Sequence, residues 1–124
     1  MRRLSIHSIA LIVLLAGCGP TPAPNLTPQA QTAYQARRVL DVLRVVKDVA
    51  VDAEAQNPKL ISTADARTIV NWHESLVKAI DAAPNGTKAV VQASLLELQP
   101  HVSESTWQKI SPYVTLLRSV LEVF

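Results

Sequence analysis

Cysteine, glycine and aromatic residues are all scarce in this chain of 124 residues. There is one cysteine, Cys18. A single thiol forms no intrachain disulfide and builds no cysteine-based zinc site. Of three glycines, Gly17 and Gly19 flank that cysteine, and Gly86 is the only other. One remaining glycine cannot supply the loop that cradles a phosphate, and there is no G-x-S-x-G turn to present a nucleophile. Ser75 and Ser94 therefore sit in no catalytic frame. His73 and His101 are the histidines beyond the first 17 residues, and neither belongs to an H-x-x-x-H or E-x-x-H pair. No metal, no cofactor and no enzymatic activity are expected. No stretch alternates apolar and polar residues long enough to suggest a sheet.

The first residues carry the strongest local signal. Arg2 and Arg3 precede the apolar run Ile9-Ala10-Leu11-Ile12-Val13-Leu14-Leu15. That run has the length of a signal-peptide core and is too short to span a bilayer. Small residues at Ala16 and Gly17 follow, as a cleavage site requires. An ordinary signal peptide cut nearby is the simpler alternative, but the sole cysteine sits directly after them. Leu15-Ala16-Gly17-Cys18 resembles the lipobox of bacterial lipoproteins, in which cleavage falls before the cysteine and its sulfur is lipidated. The resemblance implies a signal peptide over residues 1–17 and a membrane anchor on Cys18. Each buried methylene contributes about 0.8 kcal/mol, so one acyl chain holds marginally and two or three hold firmly. Gly19 in place of an aspartate after the cysteine implies outer-membrane sorting, facing the periplasm, in a Gram-negative host.

Arg2 and Arg3 are two of the 12 basic residues. Without them the ten that remain balance ten acidic ones. A mature chain of zero net charge gives no electrostatic reason to bind nucleic acid.

Residues 18–28 hold Pro20, Pro22, Pro24 and Pro28. Proline at this density blocks helix and favours extended polyproline II, so the segment reads as a tether of roughly 30 Å, at about 3.1 Å per residue. Residues 29–124 then read as one all-α domain, a small antiparallel bundle of about four helices. Val39, Val42, Leu43, Val46, Val49, Ala50 and Ala53 recur at three- and four-residue steps within a first helix over 29–55, which Asn57-Pro58 ends. Arg37–Asp41 and Arg44–Asp48 are spaced as i,i+4 pairs on another face. Ser62 or Thr63 caps a second helix, with Ser62 and Asp65 as an approximate capping box. Its apolar stripe is Ala66, Ile69, Val70, His73, Leu76, Val77 and Ile80. Pro84-Asn85-Gly86 stops it. A third helix over 87–98 buries Val91, Leu95 and Leu98, and Pro100 closes it. Ser103 or Ser105 caps a short turn carrying Trp107 and Ile110. Ser111-Pro112 then reads as the start of a last helix, with Val114, Leu117, Val120, Leu121 and Phe124 on its apolar face.

His73, in mid-stripe beside Trp72 and Glu74, is the one residue with the look of a proton shuttle, yet a lone histidine on an apolar face is more often structural. Trp72, Trp107, Tyr34 and Tyr113 suit the edge of a core, with one polar atom at the surface, better than a ligand groove. The expected function is a non-enzymatic, membrane-tethered module that binds another envelope protein. The alternatives are a carrier or sensor of a small apolar ligand, or a phage-derived lysis or exclusion lipoprotein.

Overall fold

The computed structural model describes residues 26–124. The signal peptide, Cys18 and most of the proline-rich segment lie outside the described residues. Four helices account for most of the chain that is described, and no strand occurs among those residues.

Helix α1 spans Pro28–Ala55. Thr27 caps it, its Oγ1 accepting from the Ala30 N–H at 3.1 Å, and Pro28 sits in the first turn, where a missing N–H costs nothing. Its buried face is Gln35, Ala36, Val39, Leu43, Val46, Ala50 and Ala53, while Val42 and Val49 lie half-buried at the margin. Helix α2 spans Thr63–Ala82 and Ser62 is its cap, accepting from the Asp65 N–H at 3.0 Å. Ala66, Ile69, Leu76 and Ile80 are buried, and Val70, His73 and Val77 flank them. A single 3₁₀ turn, Pro84–Gly86, leads into α3, Thr87–Leu98. Thr87 is fully buried, with its hydroxyl donating to the Pro84 carbonyl at 2.6 Å. A second 3₁₀ turn, Gln99–His101, leads to α4, Glu104–Leu121, capped by Ser103.

Helix α4 differs from expectation at its middle. Ser111-Pro112 starts no helix; Pro112 lies inside a continuous one. Trp107, Ile110, Val114, Leu117 and Leu121 are all buried and keep one helical phase across the proline. Pro112 itself is exposed, and the carbonyl it leaves without a donor, that of Gln108, is on an exposed residue. An interior proline costs about 3 kcal/mol, which the buried side chains on either side offset.

Helix α1 packs against both α2 and α4, and α3 packs against α2. Short connections make successive neighbours antiparallel. The core is mainly aliphatic, from Val39, Leu43 and Val46 through Ile69, Ile80 and Val91 to Ile110, Val114 and Leu117. One carboxylate ties two helix starts together. Asp65 Oδ2 accepts from Ser103 N at 3.2 Å, Ser103 Oγ at 2.9 Å and the buried Thr106 Oγ1 at 2.6 Å. The expected i,i+4 ion pairs do not close. Asp48 lies 3.6 Å from Lys47 instead, and Lys59 meets Glu54 at 3.1 Å beside the α1–α2 turn. Long, exposed side chains gain little from such pairs, so local geometry decides among partners.

Candidate functional site: the groove between α2 and α3

A concavity of about 470 Å³ runs between α2 and α3. Position in the heptad-like spacing of α3 explains its wall. Val91, Leu95 and Leu98 point into the core, so the residues one step earlier, Val90, Ser94 and Glu97, line the groove, with His101 beyond them. From α2 come Thr68, Asn71, Trp72, Ser75, Leu76 and Ala79. The end nearest the α2–α3 turn is apolar, built by Leu76, Ala79 and Val90. The far end is polar, built by Thr68, Asn71, Glu97 and His101.

Trp72 is not merely an edge-of-core ring. It is half-buried, it lines the groove, and its Nε1 lies below the surface with no acceptor in the protein. Trp107 is the core aromatic, and Tyr113 packs partly buried against the same core. The signal that could have singled out Trp72 is its position: it follows Asn71 on the polar side of the Ile69–Leu76 stripe rather than within it.

His73 takes no part in this groove. It faces α1 across a shallow depression shared with Glu74, Val77 and Lys78. Partial burial holds its imidazole below the ordinary histidine value. The Lys47 and Arg44 cations push the same way, and Asp48 and Glu74 push back. The folded chain therefore binds fewer protons here than the unfolded chain does. Stability contributed by the neutral ring is present above a pH of about 6.5 and is lost as pH falls from there through the folded value. His73→Leu is expected to hold or raise stability at pH 7.5 and to flatten that acid-side loss. Urea melts at pH 7.5 and 5.5 check this; an unchanged pH slope in the variant would refute it.

Among the described residues no group of three or more His, Cys, Asp or Glu side chains is placed to hold a metal ion. The second α3 feature is its outer side. Ala89, Ala93, Leu96 and Pro100 are all exposed, at steps of four, three and four, and Leu96 is 74% exposed. They lie next to the groove residues around the helix. Lys88 and Glu97 are the only charged side chains in α3. Compared with known proteins, the chain matches no family model, no curated protein and no solved structure at a significant level.

Proposed function

We propose that this chain is a bacterial lipoprotein, anchored through acyl chains on Cys18, whose helical domain binds another envelope protein without catalysing a reaction. One observation carries the binding role. Helix α3 is apolar on its core side, and its outer side carries Ala89, Ala93 and the 74% exposed Leu96, which nothing in the domain covers. An exposed apolar patch next to a groove marks an interaction surface. Zero mature net charge fits a partner held by shape and apolar contact rather than by a strong field. No helix among the described residues is long and apolar enough to cross a membrane, so in this reading Cys18 supplies the attachment. In a Gram-negative host, Gly19 directs the chain to the outer membrane, facing the periplasm.

A photo-crosslinking residue placed at Leu96 in the host should trap a discrete partner. The same residue at the exposed Arg118 of α4 should not. Equal labelling at both positions, or none at Leu96, refutes the assignment. For the anchor, metabolic labelling with a radioactive fatty acid should mark the wild type and leave Cys18→Ser unlabelled. Equal incorporation would overturn the lipobox reading.

A second reading, a carrier of a small apolar ligand, draws support from the size of the groove, which lies within the range of about 300–1,000 Å³ usual for ligand pockets. The groove is an open trough, however, and suits an extended segment better than an enclosed ligand.

A further inference from the structure

The polar wall of the α2–α3 groove is unusual in what its hydrogens do. Thr68 Oγ1 donates to the Ala64 carbonyl at 3.0 Å. Ser94 Oγ donates to the Val91 carbonyl at 3.0 Å. His101 Nδ1 lies 2.6 Å from the Glu97 carbonyl. A carbonyl only accepts, so the proton is on Nδ1, and in the neutral ring Nε2 is left as an acceptor. Each hydroxyl has likewise spent its one proton on its own helix and keeps lone pairs to offer. Glu97 adds a carboxylate, and among the described residues it has no cation within 4.0 Å. Lining one groove, then, are two hydroxyl acceptors, an imidazole acceptor and an uncompensated negative charge. Asn71 brings donors as well, and so does the Trp72 indole N–H, which has no acceptor in the protein.

An acceptor-rich wall with a net negative charge selects a donor-rich cation. Both basic side chains meet that description: an ammonium carries three donors and a guanidinium five, and neither accepts. Toward the α2–α3 turn the trough becomes apolar at Leu76, Ala79 and Val90.

Building on the protein-binding role, we propose that the groove receives a segment of the partner protein that presents apolar side chains followed by a lysine or arginine. The apolar residues lie along Leu76, Ala79 and Val90. The basic group reaches the polar end formed by Thr68, Glu97 and His101, with Ser94 one turn of α3 before Glu97.

The test uses the full lipidated chain in nanodiscs of zwitterionic lipid, with empty nanodiscs as blank. Two fluorescein-labelled probes are titrated by anisotropy: the amidated peptide Leu-Ala-Ala-Leu-Gly-Lys, and the same peptide with Glu in place of Lys. The lysine probe should bind about two- to fivefold more tightly than its glutamate counterpart, the range expected for an exposed ion pair. Glu97→Gln should bring that ratio close to one. Asp81→Asn, which removes an exposed carboxylate of α2 outside the groove, should leave it unchanged. Equal binding of the two probes, binding of neither, or a preference that survives Glu97→Gln overturns the proposal. Crosslinking at Leu96 reports separately on whether the α3 surface binds a protein at all, so the two readings fail independently.

Discussion

Leu43→Ala is expected to destabilise the domain by about 2–5 kcal/mol, toward the upper end of that range. Leu43 is fully buried on α1, the helix that packs against both α2 and α4. Truncation removes its burial and leaves a cavity, and the cost depends on how far the neighbours collapse into it. Here they collapse poorly. The adjoining turns of α1 contribute Val39 and Val46, and the core beyond is rich in Val91, Val114, Ile69 and Ile110. β-Branched side chains have few χ1 options inside a helix, so they cannot swing into the gap. A domain of this size has about 5–15 kcal/mol in total, so the midpoint of a urea melt should fall by a large fraction. Val45→Ala, two residues away at a position 40% exposed, should stay within about 0.5 kcal/mol. A Leu43→Ala cost below about 1 kcal/mol would mean that α1 is not the centre of the bundle.

The helices and their buried faces were legible because local and tertiary signals agree. Ser62 and Ser103 are caps by residue type, and the three- and four-residue steps from Val39 to Ala53 and from Ala66 to Ile80 need no tertiary knowledge to read, whereas Pro28, read as the end of the tether, is the first residue of α1 behind the Thr27 cap. The reading failed at Pro112, where a strong local signal outweighed a weaker longer one. Ser-Pro is a good helix start, but the step of four from Ile110 to Val114 keeps the apolar phase intact through it. Tolerance there depends on which side of α4 faces water, and that follows from packing on α1 rather than from the dipeptide.

The groove was less legible, for a reason of range. Its walls come from two helices, and its polarity depends on where hydroxyl and imidazole protons go. Thr68 and Ser94 look like neutral surface residues in the sequence; only the bonds to Ala64 and Val91 show them as acceptors. The Ala89, Ala93, Leu96 and Pro100 series, by contrast, lay open to inspection. What hid it is that Val91, Leu95 and Leu98 already account for the buried face, so the apolar residues on the outer side of α3 drew no separate reading. Asp48 turning to Lys47 rather than Arg44 reflects how little separates one exposed ion-pair geometry from another.

Removal of the Asp65 carboxylate should have the largest effect of any exposed or half-exposed position. Asp65→Ala is expected to cost about 2–3 kcal/mol. Its Oδ2 accepts from the hydroxyl of Thr106, a residue only 1% exposed, and from the backbone and hydroxyl of Ser103. Without it the Thr106 proton has only Ser103 Oγ, 3.0 Å away, to turn to, an uncharged oxygen that already accepts from the Thr106 N–H. Hydrogen bonds to a charged group contribute about 1.5–3 kcal/mol, and the exposed Ser103 groups can turn partly to water. The lost negative charge between the starts of α2 and α4 adds a few tenths more. Thr106→Val removes the other partner of the same bond, so the double variant should recover about 1 kcal/mol relative to the sum of the singles. A pH signature goes with this. Burial raises the Asp65 pKa, but the bonds from Thr106, Ser103 and Ser62 outweigh it and hold the carboxyl below its ordinary range. A carboxyl lowered in the folded state contributes stability that is present above the unfolded value of about 3.9 and is lost as pH falls through the folded one. Asp65→Asn should therefore narrow the gap to wild type as pH is lowered below about 4. The acid dependence that remains includes that of Glu54, whose carboxyl is lowered by Thr63 and Lys59. Urea melts of wild type, Asp65→Ala, Asp65→Asn, Thr106→Val and the Asp65→Ala/Thr106→Val pair, each at pH 7 and pH 3, decide the matter. Strict additivity of the pair at pH 7, or a gap between wild type and Asp65→Asn that does not shrink at pH 3, would show that Asp65 is a surface carboxylate and no link between α2 and α4.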